Sequence, residues 1–366
     1  MSSLTDALAP FVDDGSVPGL VAAVERGSEL EVVVLGGTGP GGPPLRRDSI
    51  FRIASISKPI TAVAAMTLLE DGSIRLDEPV DRLLPELAER RVLRSEAAEL
   101  DDTVPAPRAI TVEDLLSFRC GLGVPPSAPG SLPWQRAYAE ARLGGDGPPG
   151  SHPVPPPDEW VRRLGTLPLL APPGERWLYH TGADALGVLI ARAAGTSLGA
   201  LLSERVLRPL GMADTCFWVP PAHLHRFQPQ WWGTEVFDPV DGRWARPPEF
   251  ESAGGGLVST LDDLLSFARM LRRGGDPVLR RETVTAMTRD RLTERQRAGA
   301  RPFLAGDGWG LGLGVGANGR YGWDGGLGTS WRNDPAHDLT AILLTQAMWP
   351  DPTGPAVHHS FRDAVG

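Results

Sequence analysis

Lysine is almost absent from this chain of 366 residues. Among its 36 lysine and arginine residues, Lys58 is the single lysine, and all the others are arginine. Either side chain supplies a positive charge on a solvated surface. Arginine stays protonated in proteins, however, whereas lysine can lose its proton when it is buried or placed beside another cation. The one lysine that remains therefore marks a position where a removable proton is needed, which points to a general base.

Long apolar stretches and clusters of metal-binding residues are also missing. No segment reaches the roughly 20 apolar residues of a membrane helix, and the N-terminus lacks the basic and apolar parts of a signal peptide, so we predict a cytoplasmic protein without membrane association. In such a protein Cys120 and Cys216 are expected to be free. No Cys/His cluster has metal-ligand spacing, and we predict neither a metal nor another cofactor. We interpret His358-His359 as surface residues.

The charge balance and the length narrow the class further. A net charge of −9 argues against a nucleic-acid partner, because the phosphate backbone attracts basic surfaces. The hydrophobic fraction of 41% is that of an ordinary globular protein, so the chain can bury a sizeable core. Its 366 residues leave room for two subdomains or for one large α/β fold with an insertion.

The surroundings of Lys58 predict a nucleophile. Apolar residues recur at helical spacing over residues 56–69, and Phe51-Arg-Ile before them reads as a short strand. Ser55 would then lie at the N-terminal edge of the helix, where Pro59 in the first turn is tolerated. Residues three apart share a helix face, so Lys58 Nζ can reach Ser55 Oγ. The helix N-terminus also favours a developing alkoxide.

Strand patterns occur at both ends of the chain, with mostly helices between them. Two β-rich runs at 19–25 and 30–35 are matched by short runs at 311–315, 319–323, 330–333 and 339–345. This order predicts an α/β (α+β) fold in which an antiparallel sheet, built from both chain ends, is flanked by helices. We assign residues 1–75 and 253–366 to the sheet domain and 76–252 to an inserted, mostly helical and loop-rich domain, with the active site in the cleft between them.

Two segments of the insertion keep alternatives open. Residues 123–174 are rich in proline and glycine and are interpreted as a long loop region, which could form a lid over the site. Residues 217–250 carry many aromatic side chains with little helical period. These rings either line a pocket or pack a loop-rich core, and we favour the pocket wall for some of them.

Four segments together resemble one superfamily, the serine β-lactamases and penicillin-binding proteins, and within it the family VIII carboxylesterases and related acyltransferases. The resemblance covers nearly the whole chain and keeps the order of the motifs. The segments are Phe51-Arg-Ile-Ala-Ser-Ile-Ser-Lys-Pro-Ile-Thr61, Trp177-Leu-Tyr-His-Thr-Gly-Ala-Asp-Ala-Leu-Gly187, Ala253-Gly-Gly-Gly-Leu-Val-Ser-Thr-Leu-Asp-Asp263 and Tyr321-Gly-Trp-Asp-Gly-Gly-Leu-Gly-Thr-Ser-Trp331.

The resemblance implies a catalytic set. Ser55 would attack a carbonyl and form an acyl-enzyme, while Lys58 helps to remove the serine proton. Tyr179 matches the tyrosine of the family's Tyr-x-Asn motif and would pass a proton to the leaving group. The asparagine itself is absent, and Thr181 stands in its place as a weaker hydrogen-bond donor to substrate. We expect His180 to point outward or to pack rather than to act in catalysis.

The third family motif, Lys-Thr-Gly, is replaced here by Trp323-Asp324-Gly325. The family's lysine and threonine bind the carboxylate of penicillins, so their loss predicts weak or absent β-lactam hydrolysis. Asp324 would even repel a carboxylate if it faced inward. These three residues are nevertheless the expected substrate-binding strand. The resemblance places the oxyanion hole at the backbone N–H groups of Ser55 and Gly326.

The leading functional prediction is a serine hydrolase that forms an acyl-enzyme, as a carboxylesterase or acyltransferase on a small-molecule ester or acyl donor. An amidase, a D-aminopeptidase and a weak β-lactamase are alternatives with the same chemistry. A binding protein that kept the fold and lost turnover is an alternative of another class. Acyl chain, alcohol partner and oligomeric state are not specified by the sequence.

Overall fold

The computed structural model describes residues 4–125, 127–144 and 153–366. Residues 126 and 145–152, which belong to the loop region predicted to cover the site, lie outside the described residues. The strands are β1 (Gly19–Arg26), β2 (Glu29–Gly36), β3 (Phe51–Arg52), β4 (Arg91–Leu93), β5 (Thr103–Pro105), β6 (Gln230–Trp232), β7 (Glu235–Asp238), β8 (Val258–Ser259), β9 (Gly308–Trp309), β10 (Gly314–Val315), β11 (Tyr321–Gly325), β12 (Thr329–Asp334) and β13 (Leu339–Thr345). The α-helices are α1 (Leu4–Asp13), α2 (Ser57–Glu70), α3 (Val112–Leu116), α4 (Pro133–Glu140), α5 (Pro157–Thr166), α6 (Thr181–Ala194), α7 (Leu198–Leu202), α8 (Leu261–Arg272), α9 (Arg281–Met287), α10 (Glu294–Gly299), α11 (Arg301–Leu304) and α12 (Ala356–Val365).

The main sheet joins the two ends of the chain. Its seven strands run in the order β2-β1-β13-β12-β11-β10-β9, and the neighbouring pairs are antiparallel. The first strand pairs with the last one, with Leu20 opposite Thr345. The predicted fold class, an antiparallel sheet from both chain ends flanked by helices, is therefore confirmed. The division into two domains stays a prediction.

Both faces of the sheet are covered, which explains why β1 and β13 are apolar along most of their length. Side chains alternate between the faces of a strand. Leu20 and Ala22 pack in one cluster with α1 and α12, whereas Val21 and Ala23 belong to the large core on the other side. That second core contains apolar residues of α2, α6 and α8. It also contains Tyr321 of β11, the strand that carries Trp323.

Helix α2 is the central helix of the second layer. All of its residues from Ser57 to Leu68 are buried, so it has no solvent face and no amphipathic pattern. It begins directly after a single 3-10 turn at Ala54–Ile56 and ends at Asp71, close to the limits predicted from the sequence. Because a helix at this depth is held on every side, its first turn provides a rigid base for Ser55 and Lys58.

The structure confirms the prediction of free cysteines but contradicts the prediction of a surface position for His358. Thr111 and Asp114 form a capping box at the start of α3, and Thr260 caps α8. Cys120 and Cys216 are free, as predicted. The prediction of a surface position is wrong for His358, which is fully buried because α12 packs against the sheet.

The described residues contain neither a membrane-spanning helix nor a cluster of metal-binding side chains. Among the described residues, no single helix is long and apolar enough to cross a membrane, and α6 with residues 198–207 reaches that length only as a pair bent by 76°. Within the same part of the chain, no group of three or more His, Cys, Asp or Glu side chains could hold a metal ion.

Candidate active site

Ser55 lies on a tight turn between β3 and α2. The preceding residue, Ala54, has a φ of 44°, a conformation that non-glycine residues seldom adopt. Ser55 is partly exposed, although its neighbours at 51–54 and 56–60 are all buried. The turn therefore lifts one polar side chain out of an otherwise closed core, which is the arrangement that a nucleophile needs.

Lys58 is 2% exposed and is surrounded by polar partners. Its Nζ lies 2.8 Å from Ser55 Oγ, as the spacing of three residues predicted. The same nitrogen donates to the carbonyl oxygen of Gly254 over 2.5 Å and lies 3.3 Å from Nδ1 of His180. The lone lysine of the chain is thus buried next to the candidate nucleophile, where a proton can move between them.

Tyr179 faces the same two residues from the other side of the site. The centroid of its ring lies 4.6 Å from Lys58 Nζ. Its hydroxyl oxygen accepts a hydrogen bond of 2.7 Å from Nε1 of Trp323. The structure thus brings Ser55, Lys58, Tyr179 and Trp323 together, with the face of the tyrosine ring, rather than its hydroxyl, towards Lys58. Further aromatic rings surround Tyr179, namely Phe118, Trp177 and Phe303.

His180 belongs to this site, so the expectation that it points outward is wrong. Its backbone has φ 78° and ψ −67°, and the N–H of Thr181 donates to the carbonyl oxygen of Tyr179 over 3.1 Å, which defines a γ-turn of the rare hand. Such a conformation costs about 1–3 kcal/mol. The turn directs the ring inward, where it is 9% exposed and contacts Lys58.

Asp184 holds the ring of His180 from the first turn of α6. Its Oδ2 lies 3.2 Å from Nε2 of His180, and its Oδ1 accepts 2.9 Å hydrogen bonds from Ser252 Oγ and from the N–H of Gly254. Burial would raise the pKa of this carboxyl group, but the hydrogen bonds from His180, Gly254 and Ser252 lower it. His180 is the N-cap of α6, so the γ-turn, rather than a shared helix face, brings its ring to Asp184 four residues later.

Gly254 must be a glycine for the site to close. A Cβ atom at this position would lie 2.9 Å from Cε1 of His180 and 3.2 Å from Oδ1 of Asp184. The glycine run after Ala253 therefore allows its backbone to lie against both side chains while its carbonyl reaches Lys58.

The strand β11 presents alternate residues to the site. Trp323 faces Tyr179, but Asp324 lies on the opposite face of the sheet, where its carboxylate accepts 2.7 Å and 2.5 Å hydrogen bonds from Arg332 and Ser330. Burial would raise the pKa of Asp324, but the charges of Arg332 and Arg362 and these hydrogen bonds lower it. The prediction that Asp324 contacts substrate is therefore wrong. Because its carboxylate faces away from the site, it also cannot repel the carboxylate of a substrate there.

The remaining predicted residues line the edges of the site. A Cβ atom on Gly325 would lie 2.3 Å from the carbonyl oxygen of Ile53, so the strand end runs closely past the turn that carries Ser55. A Cβ atom on Gly326 would meet no atom within 4 Å, so this residue borders open space. Thr181 is buried, and its hydroxyl donates to Tyr138 over 3.4 Å.

The chain is similar to known proteins along most of its length. The family model described as Beta-lactamase matches residues 4–363. An uncharacterized protein of Mycobacterium tuberculosis (strain CDC 1551 / Oshkosh) is 38% identical over 91% of this chain and 87% of its own length. Esterase EstB of Burkholderia gladioli is 31% identical over 88% of this chain and 84% of its own. Lovastatin esterase of Penicillium rubens is 28% identical over 84% of this chain and 82% of its own length.

Solved structures show the same fold. EstCE1, described as a hydrolase with promiscuous acyltransferase activity, superimposes with a TM-score of 0.83 over 99% of this chain and 97% of its own, at 24% identity. Unliganded simvastatin synthase of Aspergillus terreus gives a TM-score of 0.79 over 99% and 96%, also at 24% identity. At this level of identity the likeness concerns the fold.

Proposed function

The chain belongs to the beta-lactamase family, and we propose that it cleaves or transfers the acyl group of a small-molecule ester through an acyl-enzyme on Ser55. It is a serine hydrolase of that family, whose members named above include esterases. The observation that carries the proposal is the 2.8 Å contact between Ser55 Oγ and the buried amine of Lys58.

Acylation begins with a proton transfer between these two residues. Lys58 in its neutral form accepts the proton of Ser55 while Oγ forms a bond to the carbonyl carbon of the ester. The carbonyl oxygen becomes negative, and the backbone N–H groups of Ser55 and Gly326 are the proposed donors to it. One such donor is worth about 10²–10³ in rate. The position of Gly326 beside open space supports this assignment.

Tyr179 is the proposed acid for the leaving group. Its hydroxyl oxygen already accepts a hydrogen bond from Trp323, so its own hydrogen can be directed at the oxygen of the departing alcohol. When the C–O bond of the ester breaks, this hydrogen moves to the alcohol. The proton held by Lys58 then reaches the phenolate through a solvent molecule, because the ring face of Tyr179, rather than its oxygen, lies towards Lys58. Water or a second alcohol then attacks the acyl carbon and gives its proton to neutral Lys58. The bond from the acyl carbon to Ser55 Oγ breaks, and Oγ takes that proton back from Lys58, which gives hydrolysis or acyl transfer respectively.

The surroundings of Tyr179 support an apolar ester as substrate. Trp323 occupies the position of the family's lysine, and a cluster of buried aromatic and aliphatic side chains lies around it. Such walls bind an acyl chain or an apolar alcohol by burying its surface, whereas a carboxylate gains little there. Small-molecule esters or acyl donors are therefore the proposed partners, and a cytoplasmic location remains a prediction.

The proposal is tested by trapping the acyl-enzyme. The protein is incubated with a fluorophosphonate or with p-nitrophenyl butyrate, quenched in acid, and analysed by intact mass and peptide mapping. We expect one adduct, located on Ser55. Ser57 is an internal control in the same peptide, since it is fully buried and its Oγ accepts from the N–H of Leu257. An absent adduct, or one on another residue, contradicts the proposal and favours a binding protein.

A further inference from the structure

The direction of the lone pair on Lys58 depends on two fixed acceptors. A neutral lysine amine has two N–H bonds and one lone pair. The carbonyl oxygen of Gly254 lies 2.5 Å from Nζ, and Nδ1 of His180 lies 3.3 Å from it. If the two N–H bonds point at these acceptors, the lone pair is left for the third neighbour, Ser55 Oγ, at 2.8 Å.

Lys58 can donate an N–H to Nδ1 of His180 only if that nitrogen carries no proton. The other ring nitrogen, Nε2, lies 3.2 Å from Oδ2 of Asp184. The second oxygen of Asp184 accepts from Ser252 Oγ and from the N–H of Gly254, so the group is arranged as a carboxylate that only accepts. The ring proton therefore belongs on Nε2, and Nδ1 presents its lone pair to Lys58.

We propose that His180, held by Asp184, is the positioning residue of Lys58. Its Nδ1 accepts a hydrogen bond that directs the lone pair of the neutral amine at Ser55, and it stabilises the ammonium group that forms when the serine proton arrives. The inference rests on the proposed acyl-enzyme function. The transferred proton goes from Ser55 Oγ to Lys58 Nζ, and His180 neither gains nor loses one.

The backbone supports a fixed role for this ring. His180 keeps a φ of 78°, which disfavours a side chain with a Cβ atom, and the N–H of Ala183 donates to its carbonyl oxygen over 2.8 Å. The titratable side chains that contact the ring include Lys58, Asp184 and Tyr179. Gly254 closes the remaining side at Cε1. Each ring nitrogen thus faces one of these partners, Nδ1 facing Lys58 and Nε2 facing Asp184.

Two substitutions separate the functions of the two nitrogens. The oxygen of an asparagine side chain falls near the position of Nδ1, and the amide nitrogen of a glutamine falls near Nε2. His180→Asn thus keeps an acceptor for Lys58, and asparagine tolerates positive φ. His180→Gln keeps the contact with Asp184 but gives up the acceptor. We expect kcat/KM for p-nitrophenyl butyrate to fall about 10–100-fold in His180→Gln, the size seen for outer partners that orient a reacting group, and less than about tenfold in His180→Asn.

A purely structural role predicts the same loss in both variants or a loss that follows the melting temperature, and either result overturns the proposal.

The wild-type protein provides a second measurement that needs no variant. In ¹⁵N-labelled protein, the shifts of the His180 ring should be those of the tautomer with the proton on Nε2. A proton on Nδ1 in the active pH range also overturns it. Ser55→Ala separates this inference from the proposed function: if that variant is inactive while both His180 variants match wild type, the function stands and the positioning role falls.

Discussion

Trp323 and Tyr179 are joined by a 2.7 Å hydrogen bond from the indole N–H to the phenol oxygen, so the residue that replaces the family's lysine contacts the proposed acid directly. A lysine at this position would supply a charge to the substrate. The tryptophan instead donates a hydrogen bond to the hydroxyl of the proposed acid and adds apolar surface.

Trp323→Phe is expected to lower kcat by roughly 2–10-fold. The variant keeps the ring but loses one hydrogen bond, which is worth about 0.5–1.5 kcal/mol. The matched control is Trp309→Phe, because the indole of Trp309 packs edge-on against Trp323 and donates to the carbonyl oxygen of Leu116 instead. Steady-state kinetics with a nitrophenyl ester, alongside melting temperatures, compare the two. Equal losses of kcat in both variants would show that only packing matters.

Lys58→Arg should be nearly as damaging as Ser55→Ala, with kcat/KM reduced by about 10³-fold or more. Arginine keeps the positive charge but cannot give up its proton, so it cannot act as a base towards Ser55. Arg46→Lys serves as the control, since that side chain is 67% exposed and its exchange should leave turnover unchanged. Ester hydrolysis and thermal unfolding are measured together. A folded Lys58→Arg enzyme with full activity refutes the assignment of the base.

Tyr179→Phe should lower kcat by roughly 10²–10⁴, the range for a general acid, with a smaller change in KM. The phenol of Tyr138 provides a comparison, because its hydroxyl contacts Thr181 and donates to the carbonyl oxygen of Leu143. We expect Tyr138→Phe to change kcat far less. A loss of only a few-fold in Tyr179→Phe would identify Tyr179 as a packing residue.

Nitrocefin should be a poor substrate beside short-chain esters. Trp323 supplies no cation for the carboxylate of a β-lactam. Arg320 and Arg332, the nearest basic residues along the chain, are paired with Asp334 and Asp324 respectively. The measurement is kcat/KM for nitrocefin and for p-nitrophenyl butyrate with the same preparation. A higher value for nitrocefin would require a carboxylate-binding group elsewhere in the site.

Asp324→Asn should lower the stability and leave ester kinetics within about twofold, because the carboxylate lies on the face of the sheet away from Ser55. Two guanidinium groups, those of Arg332 and Arg362, lose their charged partner. We expect a loss of about 1–3 kcal/mol in the free energy of unfolding, as for a buried group left without its partner.

The same pair of proteins gives a pH test. The pKa of Asp324 in the folded protein is below its ordinary value of 3.8. A lowered carboxyl pKa stabilises the folded state above the unfolded value, and this contribution is lost as the pH falls through the folded one. Urea unfolding of wild type and Asp324→Asn should therefore differ at pH 7 and converge below about pH 4. A constant difference down to pH 3 would contradict the role of the ionised carboxylate.

The sequence predicted those parts of the site that depend on local spacing. Ser55 lies in the 3-10 turn that leads into α2, and Lys58 lies in the first turn of that helix, so their separation of three residues brings the two side chains into contact. The sheet could also be predicted from the sequence, because its strands at both chain ends carry runs of apolar residues between turns. Residues 19–25 and 339–345, read as strands, form β1 and β13.

The parts that escaped prediction depend on backbone geometry and strand register. His180 points inward because a γ-turn reverses the direction that an ordinary backbone would give its side chain, and its sequence shows no glycine or proline to announce the turn. Whether Trp323 or Asp324 faces the site depends on register, since a shift of one residue exchanges the faces of a strand. His358 is buried through the docking of α12, which only the assembled sheet determines.

The pairing of Leu20 with Thr345 has a consequence for biosynthesis. A ribosome makes β1, β2 and α2 long before β13, so the strand that fills the middle of the sheet emerges last. Until then, one edge of β1 is unpaired, and the apolar side chains of α2 have only the β1–β2 hairpin of the sheet to pack against. Contacts of such long sequence separation fold slowly and expose aggregation-prone edges on the way. Ser55, the proposed nucleophile, is therefore synthesised early, but the active geometry can form only after β13 has been made.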